Sequence, residues 1–336
     1  MIVRENVPLA PYTTFGVGGA ARYFAETQTE AEVHDALAFA HKHMLPVHPL
    51  GAGSNLLVPD AGVDGLVLGV RLRGIEFSDG LLIAGAGEPW DRVVDAAVAS
   101  GRYGIENLAG IPGTAGGAAV QNIGAYGAEL APVFAYADAI ERATGQARRI
   151  ERADAGFGYR GSRFKTDPSL IITRIALALP QDAPLATAYP DLARAAALGV
   201  PLSTPAEVAQ AVRAIRAAKF PGQGGERTAG SFFKNPVISA AHAADLAARH
   251  PGLPVFPQED GSAKVSLAWL LDHALGLKGF RTGSARLYEK QPLVIVADED
   301  ARAADVDALA RAVAARVTDA FGITLEREVE SFGARA

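Results

Sequence analysis

The chain has 336 residues, a formal net charge of −5, 49% hydrophobic residues and no cysteine. The lack of cysteine excludes disulfides, thiolate metal sites and thiol nucleophiles, and the negative charge disfavours a general nucleic-acid binder. The apolar content indicates a globular protein, and the length predicts two or three domains. We expect a cytoplasmic protein, because no stretch approaches ~20 apolar residues and the first residues lack a signal-peptide pattern.

The first half of the chain is predicted to alternate short strands with Gly-rich turns. Thr29 and Glu32 form a capping-box pattern, which predicts the start of a helix that ends before Pro46. Buried strands are predicted for three apolar runs, at 47–50, 65–70 and 81–84. The irregular alternation to about residue 172 indicates an α+β fold rather than a regular βαβ series.

Helices and strands alternate again after residue 200. Thr204, Pro205 and Glu207 predict a second capped helix. The later predicted elements are a helix at 266–275 stopped by Gly276, a strand at 292–296 and a helix from about 306 stopped by Gly322. These changes of pattern predict three domains, at 1–68, 69–202 and 203–336.

Glycine is concentrated in three loops of the first 130 residues, at 51–55, 111–117 and 122–127. Successive backbone N–H groups in such loops can converge on phosphate oxygens without obstruction by side chains. One such loop is equally typical of a tight turn, but three together predict a dinucleotide site. None has the Rossmann or Walker A pattern, so we expect the nucleotide in another kind of fold. The residues assigned to the cofactor are Gly51, Ala52, Gly53, Ser54, Asn55, Pro112, Gly113, Thr114, Gly117, Asn122, Gly124, Ala125 and Tyr126.

Seven short motifs follow one another along the chain. They are Thr14-Phe15-Gly16, Leu50-Gly51-Ala52-Gly53-Ser54-Asn55, Gly104-Ile105-Glu106-Asn107-Leu108, Gln121-Asn122-Ile123-Gly124-Ala125-Tyr126-Gly127, Phe157-Gly158-Tyr159-Arg160, Ala229-Gly230-Ser231-Phe232-Phe233-Lys234-Asn235-Pro236 and Leu325-Glu326-Arg327-Glu328-Val329. In this order they resemble the motifs of the UDP-N-acetylenolpyruvoylglucosamine reductases, also called UDP-N-acetylmuramate dehydrogenases, in their longer subtype.

The resemblance implies an α+β fold with FAD-binding domains similar to those of the vanillyl-alcohol oxidase group and a C-terminal α/β domain that binds the UDP-sugar. It also implies noncovalent FAD, NADPH as hydride donor, and reduction of UDP-N-acetylglucosamine enolpyruvyl ether to UDP-N-acetylmuramate in peptidoglycan synthesis. The motifs contain no histidine to which the flavin could be linked. None of the seven histidines has metal-ligand spacing with carboxylates, so we expect no metal.

The same resemblance assigns catalysis to Arg160, Ser231 and Glu328. Hydride transfer to C3 of the enolpyruvyl group leaves negative charge at C2, which spreads into the carboxylate. Arg160 can hold that carboxylate with its planar guanidinium group. Glu328 can donate a hydrogen bond to the same region if it is kept protonated, and Ser231 can deliver the proton to C2. Taken alone, these residue types are more typical of a salt bridge, a turn and a strand edge.

The resemblance also implies a set of substrate contacts. Tyr189 matches a loop tyrosine that closes over the UDP end in the longer subtype. The other implied substrate residues are Arg216, Lys219, Lys234, Asn235, Lys264 and Gln291. The chain departs from the family pattern at Gly161, Tyr288 and Glu330, where aspartate, histidine and arginine are common, so we expect local differences in substrate contacts.

Three other functions fit parts of the sequence. The segments 231–234 and 162–165 both have the S-x-x-K pattern of acyl-serine enzymes, but neither S-D-N nor K-T-G occurs. A flavoprotein oxidase with the same FAD domains is a second alternative, against which the combination of Ser231 and Glu328 argues. A non-enzymatic nucleotide-binding module is the third. We expect a monomer that binds neither nucleic acid nor membrane.

Overall fold

The computed structural model of the chain describes residues 1–221 and 225–333. Its strands are β1 (Arg4–Pro8), β2 (Ala20–Thr27), β3 (Val47–Leu50), β4 (Leu56–Leu57), β5 (Val63–Val70), β6 (Ile75–Ser78), β7 (Leu81–Gly85), β8 (Gly124–Ala125), β9 (Ala128–Glu129), β10 (Phe134–Glu141), β11 (Ala147–Glu151), β12 (Leu170–Leu177), β13 (Val237–Ser239), β14 (Val255–Pro257), β15 (Ser262–Val265), β16 (Arg281–Thr282), β17 (Ala285–Leu287), β18 (Ile295–Ala297) and β19 (Glu330–Ser331). Its helices are α1 (Glu30–Lys42), α2 (Trp90–Ala99), α3 (Ala115–Gln121), α4 (Arg163–Thr166), α5 (Pro190–Ala197), α6 (Pro205–Lys219), α7 (Ala240–Arg249), α8 (Leu267–Trp269) and α9 (Ala303–Phe321), with short 3₁₀ turns at Ala10–Tyr12, Glu106–Leu108 and Arg152–Asp154.

The chain folds into two compact units. Unit 1 contains Met1–Val7, Ala21–Ala52 and Asp64–Ala218, and unit 2 contains Pro8–Ala20, Gly53–Val63 and the described residues from Lys219 to Gly333. Residues 203–218, which the sequence assigns to the third domain, lie in unit 1, because α6 packs Val208 and Val212 into the core of that unit. The three predicted domains, with boundaries at residues 68 and 202, stay a prediction.

Two sheets form the framework of unit 1. One has the order β1-β2-β5-β3, with β3 parallel to β5, and the other has the order β11-β10-β12-β7-β6. All pairings in the second sheet are antiparallel. Leu66, Leu68, Trp90, Ile175 and Leu177 are among the buried side chains of the core. This framework carries the glycine loops that follow β3 and precede α3.

Local sequence signals fix the starts of two helices in unit 1. Thr29 Oγ1 accepts a hydrogen bond from Glu32 N at 3.2 Å, and Thr204 Oγ1 accepts one from Glu207 N at 3.3 Å. The Glu207 carboxylate accepts in return from Thr204 N at 3.1 Å, which completes a capping box. Both predicted helix starts are confirmed, as are the three predicted strands, which correspond to β3, β5 and β7.

Unit 2 contains two three-stranded sheets, β13-β15-β14 and β16-β17-β18, and the parallel pair β4-β19. Phe15, Phe232, Leu270, Ile295 and Val313 belong to its buried core. The long helix α9 ends at Gly322, with φ +66°, as the sequence predicts.

The predicted helix at 266–275 is confirmed as a helical segment, but it is not α-helical throughout. Only α8 is α-helical, and Leu270–Ala274 continues as a π-helical turn. Leu270 and Leu271, which are neighbours in sequence, are both fully buried, so the wider turn places two consecutive side chains in the core. The predicted strand at 292–296 begins later, as β18, and Val294 directly before it forms an antiparallel bridge with Ser231.

Across residues 1–221 and 225–333, no helix combines the length and apolar character needed to cross a membrane.

Candidate functional site

Two of the predicted cofactor loops meet in unit 1. Gly51 follows β3, and a Cβ atom on Gly51 would lie 2.9 Å from Thr114 Oγ1. Thr114 caps α3 by accepting from Gly117 N at 3.3 Å, and Gly113 before it has φ +139°. Close approach therefore requires glycine at position 51, and the bare backbone of both loops fits the cradle that a diphosphate needs.

The remainder of the first loop belongs to unit 2. Gly53 has φ +63°, and a Cβ atom there would lie 2.3 Å from the carbonyl oxygen of Tyr12. Asn55 donates from Nδ2 to the carbonyl of Glu328 at 2.9 Å, and its own carbonyl accepts from Glu330 N at 3.0 Å. The structure thus joins a predicted cofactor residue, Asn55, to a predicted catalytic residue, Glu328.

Ser231 and Glu328 lie on neighbouring extended segments of unit 2. Glu328 N donates to the carbonyl of Phe232 at 2.8 Å, and Phe233 forms an antiparallel bridge with Arg327. Gly230, with φ +77°, precedes the serine. Two residues that are almost 100 positions apart in the sequence are therefore held side by side by backbone hydrogen bonds.

Arg160 belongs to unit 1 and lies at the tip of a tight turn. Gly158 and Gly161 exchange backbone hydrogen bonds of 3.0 and 3.1 Å, and Arg160 has φ +54°, which is uncommon for a residue with a side chain. Its Nη2 donates to the carbonyl of Gly124 at 2.7 Å. A Cβ atom on Gly124 would lie 2.9 Å from Arg160 Nη1, so this glycine makes room for the guanidinium.

Three further predicted residues form one cluster in unit 1, which we call the tyrosine–arginine cluster: Tyr126, Tyr189 and Arg216. The two tyrosine rings pack edge to face with centroids 5.4 Å apart. Arg216 is hydrogen-bonded to the side chain of Tyr126 and donates from Nε to the carbonyl of Gly110 at 2.9 Å. The sequence assigned Tyr126 to the cofactor and the other two to the substrate, whereas the structure brings all three together.

Burial dominates the ionisation of this cluster. Burial raises the pKa of Tyr126 to about 12, and the neighbouring charge of Arg216 opposes that rise. Burial also raises the pKa of Tyr189 and lowers the pKa of Arg216. Both phenols therefore remain neutral hydrogen-bonding groups at neutral pH, while the guanidinium stays cationic.

Tyr189 is not in the middle of a long loop. It is the N-cap residue of α5, an eight-residue helix that the sequence reasoning missed, and the residue is 40% exposed although its ring packs on Tyr126, so the effect of burial on its pKa is only partial. Pro190 at the first helical position and Asp191 in the first turn are the signals that could have predicted this helix. Closure of this segment over a ligand stays a prediction.

The remaining predicted substrate residues lie in unit 2. Lys234 forms an ion pair with Glu326, and Asn235 Oδ1 accepts from Leu267 N at 3.0 Å, a contact that caps α8. Lys264 lies on β15 directly opposite Val237 on β13 and Phe256 on β14, so the three share one face of the sheet. Gln291 lies in the turn before β18, and Lys219 is the last residue of α6.

Two asparagines in unit 1 make internal contacts. Asn122, assigned to the cofactor, is 2% exposed, donates to the carbonyl of Gly158 at 3.0 Å and accepts from Ala131 N at 3.0 Å. Asn107, which had no assigned role, donates to the carbonyls of Tyr126 and Ala186 at 2.7 and 2.8 Å. Its Oδ1 is buried without a hydrogen-bond partner among the described residues, so an acceptor remains beside Tyr126.

The three residues that depart from the family pattern each take part in backbone pairing. Gly161 closes the turn that carries Arg160, and Tyr288 N donates to the carbonyl of Val294 at 2.9 Å. Glu330 begins β19 and pairs with Leu56.

Residues of both S-x-x-K segments make contacts with other parts of the chain. Lys234 pairs with Glu326, and the Ser162 hydroxyl donates to the carbonyl of Val120 at 2.8 Å. In the part of the chain that the structure describes, no group of three or more His, Cys, Asp or Glu residues is placed to hold a metal ion.

Two families match different parts of the chain. Residues 21–151 match the FAD binding domain, and residues 221–332 match the C-terminal domain of UDP-N-acetylenolpyruvoylglucosamine reductase. The predicted α+β class, with FAD-binding domains followed by a separate C-terminal domain, is confirmed by these matches.

Relatives match the chain over nearly its whole length. UDP-N-acetylenolpyruvoylglucosamine reductase from Pseudomonas syringae pv. tomato is 40% identical over 333 residues, which are 97% of this chain and 98% of the relative. The enzyme of that name from Chromobacterium violaceum is 42% identical over 338 residues, which are 97% of each chain. The crystal structure of UDP-N-acetylenolpyruvylglucosamine reductase from Thermus caldophilus is 31% identical, covers 98% of this chain and 100% of its own, and has a TM-score of 0.68.

Proposed function

The chain belongs to the UDP-N-acetylenolpyruvoylglucosamine reductase family, and from this premise we propose how its own residues carry out the reaction. It is a flavin-dependent oxidoreductase with FAD as cofactor. It uses NADPH to reduce UDP-N-acetylglucosamine enolpyruvyl ether to UDP-N-acetylmuramate, the reduction step of peptidoglycan synthesis. The observation that carries the assignment of roles is the hydrogen bond from Glu328 N to the Phe232 carbonyl, which holds Ser231 and Glu328 on adjacent segments.

When bound, FAD would supply the hydride that is added to C3 of the enolpyruvyl group, and the residues proposed to hold it are those of the three glycine loops, at 51–55, 111–117 and 122–127. The protein must then stabilise the negative charge at C2 and protonate that carbon. Arg160 holds the substrate carboxylate, because a planar guanidinium can donate two parallel hydrogen bonds to it. Glu328 donates a hydrogen bond to the same region in its protonated form, and Ser231 delivers the proton to C2.

The tyrosine–arginine cluster is proposed to bind the UDP end of the substrate. Arg216 supplies positive charge for the diphosphate, and the neutral phenol of Tyr189 supplies a hydrogen bond and a ring face, while the buried Tyr126, proposed as a cofactor residue, packs on Tyr189 and is hydrogen-bonded to Arg216. Lys219, Lys234, Asn235, Lys264 and Gln291 are proposed as further substrate contacts. Lys264 lies between the exposed side chains of Val237 and Phe256 on one face of the sheet. This combination of a cation with exposed apolar side chains supports the proposed role of Lys264.

We also propose that the enzyme is cytoplasmic, that it is a monomer, and that its role in cell-wall synthesis supports cell division. Sedimentation of the purified protein at several concentrations measures the oligomeric state, and a mass of 34.9 kDa is expected at each.

The visible spectrum of the purified protein tests the whole assignment. Flavin absorption should disappear on anaerobic addition of NADPH and return on addition of the enolpyruvyl UDP-sugar. Protein that neither carries nor takes up FAD would favour a nucleotide-binding module, and reduced flavin that reoxidises with oxygen but not with the UDP-sugar would favour an oxidase.

The FAD is expected to be noncovalent, because the three glycine loops offer backbone amides rather than a nucleophile and the chain has no cysteine. Denaturation followed by ultrafiltration should release the yellow colour into the filtrate. Colour that stays with the precipitated chain would contradict this expectation.

Tyr189→Phe is expected to raise the KM for the UDP-sugar several-fold, roughly what one lost hydrogen bond contributes, and to leave flavin reduction by NADPH unchanged. The substitution keeps the ring that packs on Tyr126 and removes only the hydroxyl. Tyr23→Phe is the matched control, because Tyr23 also packs edge to face on an aromatic ring, that of Phe39. Unchanged constants for the UDP-sugar would remove the Tyr189 hydroxyl from the site.

A further inference from the structure

Gly110 is held from both sides by charged side chains of unit 1. It directly precedes the loop 111–117, which contains the predicted cofactor residues Pro112, Gly113, Thr114 and Gly117. Its N–H donates to Asp91 Oδ1 at 2.7 Å, and its carbonyl accepts from Arg216 Nε at 2.9 Å. The peptide groups at Gly110 therefore connect a carboxylate on α2 with an arginine on α6.

The carboxylate of Asp91 is itself fixed by a second arginine. Arg213 Nε lies 3.2 and 3.0 Å from the two carboxylate oxygens of Asp91, and Arg213 Nη2 lies 2.9 Å from Oδ1. The same Nη2 also donates to Asp95 Oδ1 at 2.5 Å. Asp91 thus accepts from Gly110 while it is clamped by Arg213, which orients the carboxylate toward the glycine amide.

Arg213 and Arg216 are three residues apart on α6 and therefore share one side of the helix. The first arginine binds the carboxylates on α2, and the second binds the Gly110 carbonyl and the side chain of Tyr126. Gly110 has φ +69°, and a Cβ atom there would lie 3.4 Å from both Arg213 Cγ and Arg216 Cδ, so the two arginine stems enclose this residue.

We propose that the ion pair of Asp91 and Arg213 is a positioning device for Arg216. Asp91 fixes the Gly110 peptide, and the Gly110 carbonyl fixes the direction of the Arg216 guanidinium toward the diphosphate of a nucleotide sugar. This inference rests on the proposed function, in which Arg216 binds the UDP end. We propose that neither Asp91 nor Arg213 contacts the ligand, and that both act on it only through Gly110 and Arg216.

A purely stabilising role for the ion pair is the competing explanation. The side chains of Asp91 and Arg213 are 42% and 34% exposed, and ion pairs this accessible contribute little to folding stability. The contact with the Gly110 amide distinguishes the two roles, because it needs an acceptor at position 91 and not merely a pair of opposite charges.

The test is a double-mutant cycle on the FAD-loaded full chain, read by titrating the flavin absorbance with the enolpyruvyl UDP-sugar. Asp91→Ala is expected to weaken binding about 10-fold, the size of one hydrogen bond to a charged group. Arg216→Ala is expected to weaken binding at least as much. The double variant should bind within about 2-fold of Arg216→Ala alone, because the Asp91 effect passes through Arg216. A further 10-fold loss in the double variant would overturn the proposal.

Two controls separate positioning from stability. Arg149→Met removes a matched bidentate pair of unit 1, in which Arg149 contacts Asp138 at 2.7 and 3.0 Å, and should leave binding unchanged. The charge swap of Asp91→Arg with Arg213→Asp restores opposite charges but presents donors to the Gly110 N–H. The swapped variant is expected to melt near the wild-type temperature, because so accessible a pair contributes little to stability, and not to recover the affinity. Recovered affinity in the swap would overturn the role of the Gly110 contact.

Failure of the inference and failure of the proposed function give different results. If the wild-type protein does not bind the UDP-sugar, or Arg216→Ala binds it normally, the proposed role of Arg216 fails and the inference fails with it. If Arg216→Ala weakens binding and Asp91→Ala does not, only the inference fails. If Asp91→Ala does not fold, Arg213→Met replaces it in the cycle. Arg213→Met is expected to weaken binding of the UDP-sugar about 3-fold, and to have no further effect on binding when combined with Arg216→Ala.

Discussion

Replacement of Ser231 by alanine is expected to leave flavin reduction by NADPH nearly unchanged and to slow reoxidation by the enolpyruvyl UDP-sugar by ~10²–10⁴-fold. The first half-reaction needs no proton at the substrate, whereas the second must protonate C2. Because the backbone contacts of Phe232 hold the segment that carries Ser231, the substitution should leave the segment in place. Stopped-flow absorbance follows each half-reaction separately.

Ser239→Ala is a suitable control for this experiment. The Ser239 hydroxyl caps α7 by accepting from His242 N at 3.2 Å, so its loss should lower the stability by about 1 kcal/mol and change neither half-reaction. Equal slowing of both half-reactions in Ser231→Ala would identify Ser231 as a structural turn residue. If neither half-reaction slows, another group or water supplies the proton.

The second large effect is expected at Arg160. Arg160→Met should slow reoxidation by ~10²–10³-fold, the usual loss when one preorganised donor to a developing anion is removed. Arg160→Lys should recover only part of the rate, because an ammonium keeps the charge but cannot form the planar two-bonded contact with a carboxylate. Single-turnover reoxidation with the UDP-sugar measures both variants.

Arg163→Met is the matched control for Arg160. Arg163 lies three residues further along the chain and forms an accessible ion pair with Asp167, so its removal should change neither half-reaction. Arg160 also donates to the carbonyl of Gly124 in a predicted cofactor loop. A loss of FAD from Arg160→Met, with both half-reactions slowed equally, would mean that Arg160 holds this loop instead of binding substrate.

Local sequence signals predicted a large part of the fold. The N-cap at Thr29, the capping box at Thr204, the helix stop at Gly322 and the strand at 47–50 all appear as expected. Each depends on interactions within about four residues or on the alternation of apolar residues, so the sequence alone carries the information. The family was also predicted from the order of its motifs, and relatives that match nearly the whole chain confirm it.

The helix α5 and the π-helical turn at Leu270–Ala274 show where local reasoning fell short. The alanine- and proline-rich composition around Tyr189 predicts a loop, although Pro190 and Asp191 favour a helix start. The π turn has no local signal. It places Leu270 and Leu271 together in the core of unit 2, and that requirement depends on packing rather than propensity.

By itself, the sequence determined the residue types available for chemistry, the helix and strand signals and the family. Only the tertiary structure decided which of these residues share a neighbourhood. Asp91 and Arg213 are separated by 122 positions, and Asn55 and Glu328 by 273. Contacts across such distances form because the core packs in one arrangement and buried polar groups must find partners within it, and no local pattern records that choice.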